Sequence, residues 1–250
     1  KINNDSIEMS EGIILSTGSI HNAVGPNYYS DKSKQNWTPG DIDLDSLVQN
    51  VTNDAAVFEF DFISISDTIY FSYIFGSEEY PYSPENNYND VFGFFISGNE
   101  YTKPTNIALI PNTNTPITVK TINDKSPYSK YYIDNTGGKI LEYDGYTKKI
   151  TSSTKITPYT LYHAKLAITD VYDNSFDSGI LLEKNSFKSN NSCRIINVNV
   201  DFPASYYGDS IIYNTIEGCK DIHINFKLRS TTDTLFNVKY SVTGSAENGI

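Results

Sequence analysis

Two acidic stretches carry the residue types with the most evident chemistry. The first, FGSEEYPYSPENNYNDVFG, spans residues 75–93 and holds Glu78, Glu79, Glu85, Asn86, Asn87, Asn89 and Asp90. The second, TDVYDNSFDS, spans residues 169–178 and holds Asp170, Asp173, Asn174 and Asp177. Calcium takes about six to eight oxygens from carboxylates, amide carbonyls and main-chain carbonyls. One loop of this length rarely offers so many, whereas two loops meeting at one end of a β-sandwich do. Brought together without a cation, such acids repel and raise one another's pKa. The expected ligand set is therefore Glu78, Glu79, Asn89, Asp90, Asp170, Asp173 and Asp177, with Ca2+ as the ion. The second stretch is not an EF-hand loop, which needs a Gly at its sixth position and a closing Glu. Calcium is thus read from composition and context. The competing reading makes these residues solvated turn acids, since Asp and Asn are ordinary turn formers.

Other chemistries fit less well. Glycoside hydrolysis needs two carboxyl groups with different pKa values flanking one bond, and Glu78 with Asp90 or Glu79 with Asp170 would be the pairs. Glu78 and Glu79 themselves, adjacent on a strand, point to opposite faces. His21, His163 and His223 are far apart, and His163 reads as an outward strand residue. No GxSxG, GxGxxG or phosphate-binding loop occurs, which argues against serine hydrolases, dinucleotide enzymes and nucleotide triphosphatases. Cys193 and Cys219 form no CxxC pair, so a zinc site is not expected, and a single disulfide between them stays open. The expectation is a protein that is not an enzyme. Tyr80, Tyr82 and Tyr88 offer stacking area with a hydroxyl. They form a candidate surface for a sugar or a protein ligand, set against a Tyr-rich loop that packs on itself.

Strands must position these loops. Phe58, Phe60 and Phe62 alternate with Glu59 and Asp61, the period of a half-buried strand. Ile69–Phe75 and Val91–Ile96 are apolar on both faces, as in strands covered on both sides. Further short runs at 12–18, 107–110, 117–122, 140–143, 146–150, 162–169 and 179–183 are bounded by Pro, Gly, Asn or Asp. Such spacing predicts an all-β fold, an antiparallel β-sandwich of jelly-roll kind with long loops. One helical turn is expected over Asp41–Val51, where Leu44, Leu47, Val48 and Val51 recur at threes and fours below a capping Asp. A polar joint at 187–193 separates residues 1–190 from a smaller β-module over 191–250, with strands expected near 196–200, 222–228 and 236–242. The alternative is that these late strands complete the first sandwich.

Acids outnumber bases 30 to 19, for a net charge of −11. Nucleic acid and anionic membranes are poor partners for such a chain, since phosphate binding needs clustered Lys and Arg. No apolar run is long enough for a membrane span. The abrupt polar start suggests a mature or trimmed piece of a longer chain.

Five ordered segments give a closer likeness. GIILSTGSIHNAVGPN, FGSEEYPYSPENNYNDVFGFFISG, NIALIPNTNTPITVKTIN, YDGYTKKI and YHAKLAITDVYDNSFDSGILLEKNSF together resemble the choice-of-anchor L domain over about residues 10–188. That module belongs to secreted surface proteins common in Bacteroidetes. The tail segments YGDSIIYNTIEGC and FNVKYSVTGSAENGI resemble the opening of the Calx-β-like repeats that follow it in large gliding and adhesion proteins. The resemblance implies an extracellular or cell-surface protein, export by the type IX route, and a role in attachment to a surface, glycan or protein rather than catalysis. Metal binding is an inference from the acids themselves. The family often has Gly on either side of the acid at Asp173, where this chain has Tyr172 and Asn174.

Overall fold

The computed structural model describes residues 7–81 and 88–189, with the main chain of four strands between residues 195 and 228. The chain divides into two compact units, Lys1–Asn190 and Asn191–Ile250. In the first unit the strands are β1 (Gly12–Ser16), β2 (Thr52–Ile63), β3 (Thr68–Ser77), β4 (Val91–Gly98), β5 (Tyr101–Asn106), β6 (Ile117–Thr118), β7 (Tyr132–Asp134), β8 (Gly145–Thr147), β9 (Ile150–Lys155), β10 (Leu161–Val171), β11 (Ser178–Glu183) and β12 (Lys188–Ser189). An α-helix, α1 (Ile42–Val48), precedes β2.

They build two antiparallel sheets packed as a sandwich. One sheet runs β1-β11-β3-β8-β7, with β9 and β12 also on the long β3; the other runs β2-β10-β4-β5, with β6 on β4. β3 and β4 are buried almost end to end, as their two-sided apolar sequences require. Their aromatic rings tie the layers together. Phe71 meets Phe94 edge-on at 4.3 Å and Tyr73 meets Phe92 at 5.0 Å, contacts that add to area burial. Phe58, Phe60 and Phe62 share one face of β2, with successive rings 5.4 and 6.1 Å apart.

The helix is explained by its start and its apolar side. Asp41 is the N-cap, its carboxylate accepting from the Asp43 and Leu44 N–H groups. Gln49 ends it in a left-handed conformation. Leu44 is fully buried against Val91, Phe95, Ala167 and Val171 on the outer face of the second sheet. Lys165 on β10 reaches Asp41 at 2.9 Å and also Asp43, clamping the helix to the sheet.

Several expected strands are not strands. Residues 107–110 and 140–143 are apolar loops held by single bridges, Leu109 to Pro116 and Val24 to Leu141. Of 117–122 only Ile117–Thr118 pairs. Their burial is genuine, with Ile107, Ile110, Ile122 and Leu141 all in the core, and sheet pairing is what they lack. Conversely β5, YTKPTN, forms an edge strand without apolar alternation.

In the second unit β13 (Ile195–Asp201) pairs antiparallel with β16 (His223–Leu228), and β14 (Ala204–Tyr207) with β15 (Ser210–Tyr213). The strand expected at 236–242, and both Cys193 and Cys219, lie outside the described residues.

Candidate functional site

Both acidic stretches are crossovers between the sheets. The first leaves β3 and enters β4; the second leaves β10 and enters β11. β3 and β11 are antiparallel neighbours with Ser77 opposite Ser178, and β4 and β10 are antiparallel neighbours with Val91 opposite Thr169. The two crossovers therefore lie side by side at one end of the sandwich. The registers alone bring Glu78 and Asp90 close to Asp170 and Asp177.

Side chains confirm the meeting. Asp90, fully buried, accepts from the Val171 N–H at 3.0 Å and from the Ser178 hydroxyl at 2.6 Å. The Glu78 N–H donates to the Asp177 carbonyl at 3.1 Å. Asp177 accepts from the Asn22 amide at 3.1 Å and the Lys34 N–H at 2.8 Å. Its carboxyl group lies over Gly18, where a Cβ would stand 1.9 Å from an Asp177 oxygen, so the approach needs glycine.

Other oxygens have no donor. Both carboxyl oxygens of Glu78, one of Glu79 and one of Asp170 are buried without a hydrogen-bond partner, as are the hydroxyls of Thr169 and Tyr143. Glu78 is 2% exposed and Asp170 1%. Such groups carry a desolvation cost unless something compensates it. Among the described residues no Lys, Arg or His stands within ion-pair distance of Glu78, Glu79, Asp90, Asp170 or Asp177.

The acids are correspondingly hard to ionise. Burial, and then the charges of Asp144, Glu142 and Asp177, pushes Glu78 up to about 9. Burial, then Asp90 and Asp173, does the same for Glu79, also to about 9. Asp170 rises to about 11 through burial and Asp90. Asp90 reaches about 7, burial outweighing the hydrogen bonds from Ser178 and Val171. Burial also raises Asp177.

The expected ligands thus fall into two neighbouring groups. Glu79, Asp90, Asp170 and Asp173 influence one another on one side. Glu78 and Asp177 join Glu142 and Asp144 on the other, where Lys32 brings the nearest positive charge. Asn89 stands apart, its side-chain carbonyl accepting from the Lys120 N–H at 2.9 Å. Among the described residues no three His, Cys, Asp or Glu side chains stand close enough to enclose a metal ion as they are placed. The oxygens converge without forming a closed cage.

The tyrosine surface needs correction. Tyr80 is 2% exposed and its hydroxyl donates to the Ile122 carbonyl at 2.5 Å, so it is a core residue. Tyr88 is half-buried, its ring edge-on to Tyr172 at 5.6 Å. Tyr82, with Glu85, Asn86 and Asn87, lies outside the described residues.

Three acids escaped sequence reasoning. Glu142 is 1% exposed and accepts from the Tyr28 and Tyr29 N–H groups at 3.3 and 3.1 Å. Asp144 accepts from the Asn27 amide at 2.9 Å. Asp54, buried at a bulge between β2 and β10, accepts from the Asn36 and Thr38 N–H groups at 2.9 and 2.6 Å. The available signal was an acid between apolar residues in LEYDGY, which alternation reads as an outward position.

Among the described residues no helix is long and apolar enough to cross a membrane. No curated protein and no solved structure gives a match. A family model for the choice-of-anchor L domain matches residues 1–188, the span of the first compact unit. Domains of this kind point to a secreted or cell-surface protein. On that match, the chain belongs to the choice-of-anchor L domain family.

Proposed function

We propose that residues 1–190 are a calcium-stabilised module of a bacterial surface protein, used in attachment rather than catalysis. One observation carries the calcium reading: two sheet crossovers converge on buried acids, of which Glu78 lacks donors for both oxygens and Glu79 and Asp170 for one each, with Lys32 the positive charge felt at Glu78. A divalent cation would neutralise them, with main-chain carbonyls and water completing its shell. Because the side chains do not enclose an ion as placed, binding would draw Glu79, Asp90 and Asp170 inward. This would lock the two crossovers, and hence the two sheets, to each other.

Attachment is supported by the family and by the second β-unit, whose tail resembles a Calx-β-like repeat. It accords with a chain built of successive modules. The same likeness suggests type IX export and a large gliding-type adhesin. Elemental analysis of the purified chain, followed by calorimetric titration of the chelator-treated protein with calcium, tests the metal. About one or two calcium ions per chain, with affinity lost in Asp170→Asn, is the expected result. No bound calcium and no heat of binding would end the calcium reading and leave attachment resting on family alone.

A further inference from the structure

The segment from Asn27 to Thr38 reads NYYSDKSKQNWT and contains three aromatic residues and no aliphatic one. All three aromatics are strongly exposed: Tyr28 80%, Tyr29 59% and Trp37 74%. Rings this exposed lose nothing to the core when replaced, so packing does not account for them.

The main chain beneath them is held with unusual care. Glu142 accepts from the N–H groups of Tyr28 and Tyr29, Asp177 from Lys34, and Asp54 from Asn36 and Thr38. Three buried carboxylates thus grip the loop at three points. The Ser33 hydroxyl accepts from the Phe176 N–H at 2.7 Å, and the Gln35 amide donates to the Ser175 hydroxyl at 2.9 Å, fastening it to the β10–β11 crossover. Lys32 lies 5.5 Å from the centre of the Tyr29 ring while facing Glu142 at 4.0 Å.

Trp37 shows the clearest sign of use. Its φ is +57°, a backbone region that bulky residues rarely adopt. Asp54 holds the residues on both sides of it, which fixes the unfavourable conformation. Strain maintained under an exposed aromatic, on a loop that does not need it for packing, points to recognition.

We propose that this loop is a platform for a neutral glycan, with Tyr28, Tyr29 and Trp37 supplying the stacking faces. Sugar rings present C–H groups of slight positive charge, which suit the negative face of an aromatic ring. The exposed Ser30 hydroxyl and the side-chain carbonyls of Gln35 and Asn36, whose NH2 groups are spent on Ser175 and on Thr17, provide hydrogen-bonding partners for hydroxyls. The residues between the rings are Ser, Asp, Lys, Gln and Asn, a polar setting that suits sugar hydroxyls better than an apolar protein face. Acidic polymers are disfavoured by the net charge of −11 and by the carboxylates under the loop. This inference rests on the surface-module reading for access to glycans. It replaces the Tyr80–Tyr88 stretch, whose first ring is buried.

The test uses the full chain in affinity electrophoresis through gels containing laminarin, glucomannan, xylan or dextran, with dextran sulfate as the acidic polymer. Trp37 is the sole tryptophan, so its emission reports contact directly. Retardation by at least one neutral polymer is expected, with a shift in Trp37 emission. Trp37→Ala and the double variant Tyr28→Ala/Tyr29→Ala should each weaken binding about tenfold, the loss of one to two stacking contacts, with melting temperature unchanged. Binding to none of the neutral polymers, or binding that survives both variants, overturns the platform. So does Trp37-dependent capture by immobilised collagen or fibronectin with all polysaccharides blank. Running the assay in calcium and in chelator separates the two readings. Trp37-dependent retention in a protein whose melting is indifferent to calcium supports the platform and sinks the staple. Calcium-dependent melting without retention does the reverse.

Discussion

Glu78 and Glu79 are neighbours in sequence with different surroundings. Glu78 looks toward Glu142, Asp144 and Asp177, and Glu79 toward Asp90 and Asp173. In the metal-free protein at mildly alkaline pH, each stays protonated below its raised value of about 9, so folding must take up a proton that the unfolded chain does not hold. Glu78→Gln removes that cost while keeping the shape. It should stabilise the chelator-treated protein by about 1–3 kcal/mol, or about 2–4 °C per kcal/mol for a chain of this size. In millimolar calcium the same variant should melt below the parent. A variant that melts below the parent in both buffers would show that Glu78 has a structural partner rather than a cation. Asp90 behaves differently because it already holds Val171 and Ser178. Asp90→Ala should cost about 2–4 kcal/mol through the donors it strands, against less than about 0.5 kcal/mol for the exposed Asp31→Ala. Urea melts of the two variants make the comparison.

The crossovers meet because of strand pairing, and pairing is what the sequence reveals least. Alternation over Phe58–Phe62 and the two-sided apolar runs of β3 and β4 were legible because each is a local pattern. So was α1, from its Asp cap and the spacing of Leu44, Leu47 and Val48. The acids were visible as residue types, but their convergence depends on β3 lying beside β11 and β4 beside β10, contacts 66 to 109 residues apart. Apolar runs such as 107–110 look like strands because burial, not pairing, makes them apolar. The edge strand β5 was invisible for the opposite reason. The paired elements also set steric demands. A Cβ at Gly179 of β11 would stand 2.1 Å from the Tyr143 hydroxyl, so Gly179→Ala should destabilise by about 1–3 kcal/mol. Tyr143→Phe removes the atom that such a Cβ would strike and should rescue part of the Gly179→Ala loss in a double-mutant cycle. Between the sheets, Phe94→Ala should cost about 3–5 kcal/mol in a denaturant melt, as expected for a ring packed edge-on against Phe71.

For the whole molecule, the raised acids give stability a definite pH dependence. Carboxyl groups whose folded pKa lies above the unfolded value hold protons longer when folded. Their contribution is complete below the ordinary carboxyl value near about 4 and is lost as pH climbs through the folded values. With Asp90 at about 7 and Glu78 and Glu79 at about 9, the metal-free domain should lose stability steadily from weakly acidic to alkaline solution. Calcium favours the ionised forms and should flatten or reverse that slope. Differential scanning calorimetry of the full chain in mildly alkaline buffer, with millimolar calcium and then with excess chelator, is the most direct measurement. A shared calcium site predicts a melting temperature several degrees higher in calcium, about 2.7 kcal/mol of added stability when the ion stands at a hundredfold its dissociation constant. Identical melting in the two buffers would contradict it.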